Sequence, residues 1–399
     1  MREKLRPLIA TLFCVLLIDL LLASAMDLDL LGHNPYDSYT RQALAWREGR
    51  VCLDEDYSWL ELALYKDKVF VSFPPFPSLL MLPLTFIFGG NTPNLLVNML
   101  LFAGSACFAY ALSLRLGQDK RTTAAMAVFW VCGCDLLELC LNGGVWNIAQ
   151  GCGFFMTIAS LYCMEAPPEK STRAERVMGP VLIAFAVGCR PFQAVYVPYV
   201  LYKLYFMCDR KQGFFRTIAR MIPYVVLPAC VAAAYGAYNY VRFDNIFEFG
   251  HNYLPEFSTE GGKQFSVSHW FTNVKNIFRL PYFTGNRLEF PRFYGFAFYL
   301  CNPVFLMALI ETVRRLIRRE FDAADAILTV SFFVHMNLLL LHRTFGGLQF
   351  GCRYTVDLVP ALGVFVLRKK RRLTLADCLI MIWGVLFNIY GTALFHLGS

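Results

Sequence analysis

Pro7-Leu-Ile-Ala-Thr-Leu-Phe-Cys-Val-Leu-Leu-Ile-Asp19-Leu-Leu-Leu-Ala-Ser-Ala25 holds one charge in nineteen residues. A helix needs about 20 mainly apolar residues to cross roughly 30 Å of hydrocarbon, and this run suffices. Similar runs fall near residues 73–90, 95–114, 122–141, 146–164, 177–206, 217–240, 293–312, 324–342, 354–367 and 374–394. Composition agrees: 57% of the 399 residues are hydrophobic, only 17% are charged, and Phe alone contributes 37, unlike any soluble domain. The pattern predicts an all-α polytopic membrane protein with about 10–12 transmembrane helices in a single domain over 1–399.

Two runs are irregular. Segment 73–90 is short and opens with Pro74, Pro75 and Pro77, the mark of a re-entrant or tilted helix, which only packing against protein makes tolerable. Segment 177–206 is too long for one span and carries Arg190-Pro191 at its middle. Proline breaks the hydrogen-bond ladder and arginine is costly in lipid, so two shorter helices are expected to meet there. The basic N-terminus before the first run resembles a signal peptide, but the run is long and lacks an A-x-A-like cleavage site, so it is read as an uncleaved first helix.

Basic clusters at Arg210-Lys211, at Arg314, Arg315, Arg318 and Arg319, and at Arg368 to Arg372 mark cytoplasmic loops. Residues 26–72 and 241–292 then become two long extracytoplasmic loops. In the first, Asp27, Asp29, Asp37, Glu48, Asp54, Glu55, Asp56, Glu61 and Asp67 outnumber five Lys/Arg. Simple alternation would put the basic loop 115–121 outside. The charge rule puts it inside, provided 73–90 fails to cross and Arg190 marks a turn. The net charge of +8 is explained by orientation against anionic lipid and gives no support for nucleic-acid binding. Most of the fourteen cysteines lie inside apolar runs as small hydrophobes, so neither a disulfide nor a metal site is assigned, and the need for a divalent metal stays open. No G-x-x-x-x-G-K-[ST] loop is present, so any energy arrives with the substrate.

Chemistry is concentrated in the first loop. Tyr39, Ala43 and Trp46 recur on one face of a short amphipathic helix ended by Gly49, which suits a helix lying on the membrane surface and holding Asp37 near a lipid headgroup. The competing reading of Asp37 is a helix N-cap.

Asp37 with Ala43-Leu-Ala-Trp-Arg-Glu-Gly49, then Glu61-Leu-Ala-Leu-Tyr-Lys-Asp-Lys-Val-Phe-Val-Ser-Phe-Pro-Pro75, Gly143-Gly-Val-Trp-Asn-Ile-Ala-Gln150, Gly188-Cys-Arg-Pro191, Tyr238-Asn-Tyr-Val-Arg-Phe243, Phe247-Glu-Phe-Gly250 and Phe350-Gly-Cys-Arg-Tyr-Thr-Val-Asp-Leu-Val-Pro360 occur in that order. In this order the sequence resembles, over nearly its whole length, the GT-C glycosyltransferases, which include the protein mannosyltransferases and the aminoarabinose transferase of lipid A. The resemblance implies transfer of a sugar from a polyprenyl-phosphate donor to a glycan, lipid or protein acceptor of the cell envelope. Through its bacterial members it also implies a cytoplasmic-membrane protein with an extracytoplasmic active site. It implies an acidic general base in the first loop, with Asp37 the best match and Asp29 or His33 the alternatives.

Such a donor carries its own leaving group, so cations must receive the departing phosphate. Arg190 is the first nominee, Arg353 the second and Lys68 the third. The alternatives are a buried ion pair for Arg190, a salt bridge to Asp357 for Arg353, and simple solvation for Lys68. His33, Glu61, Trp146, Asn239, Arg242, Glu248 and Tyr354 complete the set of candidate substrate contacts, with structural bracing the rival reading for Asn239, Arg242 and Glu248. His269, Trp270 and Tyr282 belong to a loop so aromatic that it can simply lie on lipid. A transporter or flippase, which should show inverted repeats, and a non-catalytic scaffold subunit are the rival functions.

Overall fold

The computed structural model describes residues 2–208, 213–258, 263–369 and 372–397. The basic pair Arg210-Lys211 and the Lys370-Arg371 part of the last basic run lie outside the described residues. In chain order the helices are α1 (Arg2–Ala25), α2 (Ser38–Arg47), α3 (Phe76–Phe88), α4 (Asn94–Arg115), α5 (Lys120–Cys132), α6 (Leu136–Cys140), α7 (Val145–Met164), α8 (Arg173–Val187), α9 (Val197–Met207), α10 (Phe214–Phe243), α11 (Pro255–Ser258), α12 (Val267–Ile277), α13 (Phe298–Cys301), α14 (Val304–Arg318), α15 (Ala323–Leu340), α16 (Val359–Leu367) and α17 (Leu375–Leu397). Two antiparallel hairpins, β1 (Leu62–Tyr65) with β2 (Lys68–Val71) and β3 (Tyr282–Thr284) with β4 (Arg287–Glu289), are the strand pairs of the two long loops. The fold is that of an all-α polytopic membrane protein.

Among the described residues five helices, α1, α4, α10, α15 and α17, are long and apolar enough to cross a membrane unaided. Helix α7 is also a single unbroken helix of 20 residues, and the shorter segments end at points with a local cause. Helix α5 stops at Gly133, where the backbone lies against Phe129 so closely that a Cβ would meet its carbonyl oxygen at 2.7 Å. Helix α8 stops at Gly188 because Pro191 cannot continue the ladder. A six-residue 3-10 turn, Pro191–Tyr196, then leads into α9, so segment 177–206 is indeed two helices. A second such turn, Arg353–Leu358, leads into α16.

Ion pairs gather the basic ends of the helices. Arg315 is fully buried; its Nε donates to Glu311 Oε1 (2.7 Å), Nη1 to Asp325 Oδ1 (2.6 Å) and Nη2 to the Phe365 carbonyl (2.5 Å). Arg368 and Lys369 also pair with Asp325. Gln118 donates to the Leu367 carbonyl at 3.0 Å, and Arg115 bonds the Tyr162 carbonyl (2.7 Å) and Glu175 (2.7 Å). Residues 115–121 therefore share one end of the molecule with 314–319 and 368–369, as the charge rule requires.

Helix α3 explains how. Its thirteen residues reach only about 20 Å at 1.5 Å per residue. It runs beside α2, with Ser78 donating to Gln42 (2.7 Å) near its start and Arg47 donating to the Thr85 carbonyl (2.6 Å) near its finish. The chain enters and leaves α3 at the same end, and α4 starts there too, with the Asn94 side chain accepting from Asn34 N at 3.0 Å. With α3 not crossing and 177–206 split, the described chain makes eleven alternating passes, by α1, α4, α5–α6, α7, α8, α9, α10, α13–α14, α15, the second 3-10 turn with α16, and α17.

Replacing Arg315 with Leu removes the cation that joins Glu311 to Asp325 and leaves the Phe365 carbonyl without its guanidinium donor, although Arg314 still pairs with Glu311, and Arg368 and Lys369 with Asp325. Its cost should be about 3–5 kcal/mol, against under about 0.5 kcal/mol for the exposed Arg318→Ala. Thermal unfolding of the two variants in lipid discs measures the contrast, and equal midpoints would remove the ion-pair cluster as a determinant of the fold.

Candidate active-site cavity

The end opposite the basic loops encloses a cavity of about 890 Å³. Its walls come from the first loop (Asn34 to Tyr36, Glu61, Phe73, Pro74), the start of α7 (Trp146), the α8–α9 hinge (Cys189 to Phe192), the second long loop (Phe247 to Asn252) and the loop after α15 (His342 to Tyr354).

The hinge puts Arg190 on the wall. Phe76 N donates to the Gly188 carbonyl at 2.9 Å, and a Cβ at Gly188 would meet the Tyr235 hydroxyl at 2.1 Å, so chain and neighbour interlock there. Arg190 Nε donates to Asp357 Oδ2 at 2.9 Å, and its guanidinium sits 4.6 Å over the Tyr354 ring. Its charge is already matched by a buried carboxylate.

Arg353 differs. It is 8% exposed, and its Nε (3.1 Å) and Nη2 (2.6 Å) both donate to the Gly346 carbonyl. Among the described residues no carboxylate pairs with it; Glu138 and Glu61 act on it only through space. The alternative reading of Arg353, a salt bridge to Asp357, thus does not form, and Asp357 pairs with Arg190 instead, which is the alternative reading of that residue, a buried ion pair. The loop that carries Arg353 turns through left-handed Gly346, Gly347 and Gly351. Asp135 ties it down: Oδ2 accepts from Cys352 N (2.7 Å) and from Asn302 Nδ2 (2.9 Å), which also donates to Thr355 Oγ1 (2.9 Å). A Cβ at Gly351 would meet Asp135 Oδ1 at 2.1 Å, so glycine is required there on two grounds.

Glu61 is the first-loop acid on the cavity wall. The β1–β2 hairpin, turning at Lys66 and Asp67 with positive φ, holds it, and Ser72 Oγ donates to its carbonyl at 2.8 Å. Its Oε2 accepts from Trp146 Nε1 at 3.0 Å. Burial pushes the Glu61 carboxyl above the ordinary range, partly opposed by the Trp146 hydrogen bond. Burial also lowers His251 to about 4 and His342 to about 3, so both rings face the cavity neutral at pH 7.

Asp37 does not line the cavity. It is fully buried and caps α2, with Oδ1 accepting from Thr40 N at 2.9 Å, and burial raises its carboxyl. Among the described residues its other oxygen has no hydrogen-bond partner, and His33 Nδ1 lies 3.8 Å from it. Helix α2 is not a membrane-surface helix. Tyr39 and Ala43 are buried in a cluster with Leu62, Val71, Met81 and Ile148, and Gln42 and Trp46 both donate to the Tyr238 hydroxyl at 3.0 Å. The apolar face identified in the sequence is real; its partner is protein.

Of the remaining candidates, Trp146, Glu248 and Tyr354 line the cavity, whereas Lys68 is exposed on β2 and lies off it. Arg242 and Asn239 are braces: Arg242 donates to the Val71 carbonyl (2.8 Å) and to Asn239 Oδ1 (2.9 Å), locking α10 to the hairpin. Glu248 accepts from Gly250 N and Asn252 Nδ2, both at 2.6 Å, and so shapes its own loop. Asp19, Asp135 and Glu138, acids inside apolar runs, are candidates by sequence but rank below Asp37 because no partner is visible there. The structure supplies partners that sequence could not: Cys352 N and Asn302 for Asp135, His396 for Glu138 (3.4 Å) and Arg190 for Asp357. Among the described residues no group of three or more His, Cys, Asp or Glu is arranged to hold a metal ion.

No family model and no curated protein matches the chain. Three solved structures do. The apo oligosaccharyltransferase of Archaeoglobus fulgidus superposes with a TM-score of 0.53 at 14% identity, over 97% of this chain and 55% of that one. The oligosaccharyltransferase AglB of the same organism, in complex with an inhibitory peptide and a dolichol-phosphate, gives 0.51 at 13%, over 99% and 56%. ArnT from Cupriavidus metallidurans bound to undecaprenyl phosphate gives 0.50 at 14%, over 95% and 63%. This chain thus spans 55–63% of the length of the proteins it resembles. Eleven passes, a first loop folded over the cavity and these superpositions together give the chain the fold of the GT-C polytopic membrane glycosyltransferases.

Proposed function

We propose that the chain is a glycosyltransferase that moves a sugar from a polyprenyl-phosphate donor to a cell-envelope glycan, lipid or protein acceptor, with the cavity on the extracytoplasmic side. The observation that carries this reading is Arg353, a buried guanidinium on a cavity wall with a carbonyl for company and no carboxylate partner among the described residues. A buried charge in that state wants an anion, and phosphate offers a charge-assisted, two-toothed match. The solved complexes of similar fold with dolichol-phosphate and undecaprenyl phosphate support a lipid phosphate as that anion. The basic loops at the opposite end support the sidedness.

In this scheme the donor phosphate sits at Arg353, and Arg190 stiffens the adjoining wall through Asp357. Glu61 takes the proton of an acceptor hydroxyl. The acceptor oxygen bonds to the sugar's anomeric carbon as the bond to the phosphate oxygen breaks, and the negative charge passes from Glu61 to the leaving phosphate beside Arg353. A second reading assigns the proton to Asp37, favoured by its buried Oδ2 without a hydrogen-bond partner.

Four substitutions test the scheme. Glu61→Gln should lower transfer by roughly 10²–10⁴-fold while donor affinity holds. A base acts only when deprotonated, so wild-type activity should rise with pH through a midpoint above the ordinary carboxylate range, and the Gln variant should lack that limb. Arg353→Ala should weaken binding of undecaprenyl phosphate by roughly 10–100-fold, more than Arg190→Ala does. Asn caps helices about as well as Asp, so Asp37→Asn removes charge and keeps the cap. Activity within about tenfold of wild type supports Glu61; a loss matching that of Glu61→Gln transfers the role to Asp37. Titration calorimetry of donor lipid and turnover of a labelled polyprenyl-phosphate sugar read these outcomes.

A further inference from the structure

Helix α12 leaves the cavity wall one residue after Phe265, which lines it. One face of α12 is fastened to the end of α15. Trp270 Nε1 donates to Asn337 Oδ1 (2.9 Å), and Asn273 Nδ2 donates to the carbonyls of Leu340 (2.9 Å) and His342 (2.8 Å). Helix α15 is long and apolar enough to cross a membrane, and lipid-facing side chains such as Phe333 and Val334 continue up it. Its last turn therefore marks the membrane boundary at the cavity end, and α12 lies at that depth.

The exposed side of α12 carries Val267, Phe271 and, just past the helix, Phe278, spaced i, i+4 and i+11, while Val274 turns in to the core. Val267 is 69% exposed, Phe271 63% and Phe278 55%. Beside it in sequence, the β3–β4 hairpin pairs Phe283, 73% exposed, with Leu288 across the strands. Lys275 and Arg287 are exposed among these apolar groups. An aromatic stripe with cations beside it, anchored at the end of a spanning helix, has the composition of a helix that rests in the headgroup layer.

We propose that α12 and the β3–β4 hairpin lie in the membrane interface at the cavity end, with Val267, Phe271, Phe278 and Phe283 in the headgroup–acyl boundary and Lys275 and Arg287 on anionic lipid phosphates. This places a lipid-embedded shelf directly beside the cavity wall, in the position the sequence suggested for α2. It holds whatever reaction the cavity performs.

The full chain carrying Phe271→Trp or Phe283→Trp is reconstituted in discs of phosphatidylcholine and phosphatidylglycerol, with either brominated or ordinary acyl chains. The fluorescence each new Trp adds over wild type should fall at least twofold in brominated lipid and resist aqueous iodide. Lys275→Glu with Arg287→Glu should reduce that quenching in discs containing phosphatidylglycerol. Quenching by iodide alone would show a water-facing surface, and quenching by neither would show a face covered by protein; both overturn the proposal. Phe278→Trp serves as the reporter if Phe271→Trp does not fold.

Discussion

The cavity depends on the pairing of Arg190 with Asp357. The two residues are 167 positions apart, and each stands at a 3-10 turn that leads into a new pass: Arg190 where α8 gives way to the turn before α9, Asp357 inside the turn that precedes α16. In a low-dielectric interior neither charge is tolerable alone, so the pair fixes the two turns against each other. The consequence reaches the neighbouring arginine. With Asp357 committed to Arg190, Arg353 bonds the Gly346 carbonyl, and among the described residues no carboxylate pairs with it.

A second layer of polar bonds keeps that charge in place. Asp135, Asn302 and Thr355 come from three separate passes and close a hydrogen-bonded bracket around Cys352, immediately before Arg353. The glycines of the 346–351 loop allow the chain to turn tightly enough for the Arg353 side chain to fold back onto the Gly346 carbonyl. The first loop closes the cavity from the other side. Its hairpin presents Glu61 to Trp146, while α2 packs on protein and is anchored by Tyr238. Both charged sides of the cavity are thus held by bonds that tolerate little slack, which suits a site where geometry sets the rate.

The membrane passes were legible because the backbone in lipid must satisfy its own hydrogen bonds, which forces long apolar runs, and the breaks were legible because proline announces them. The Pro-rich start of α3 and the Arg190-Pro191 hinge gave the right topology, and the charge of 115–121 selected it. Which partner each arginine takes was not legible. Asp357 follows Arg353 by four, the spacing of a salt bridge on an α-helix, but residues 353–358 form a 3-10 helix. There i and i+3 eclipse and i+4 is turned away, toward Arg190. Nor was the split between Asp37 and Glu61 legible. Both are acids of one loop, and only the packed structure shows that Asp37 is folded under α2 while Glu61 faces the cavity. The amphipathic pattern of α2 was read correctly as a pattern, but a periodicity identifies a buried face without naming what buries it.

The two cavity arginines also share a local plan. Arg190 precedes a six-residue 3-10 turn that ends at Val197-Pro198; Arg353 opens one that ends at Val359-Pro360. In both, the proline sits in the first turn of the following helix, where its missing N–H costs nothing, and the tight turn lets a pass resume at once toward the basic end. Non-helical backbone at membrane depth survives only where protein or a polar cavity satisfies it. Each turn therefore needs the cavity as much as the cavity needs the turn: the 3-10 segments supply the guanidinium groups, and the polar space they enclose satisfies their non-helical backbone.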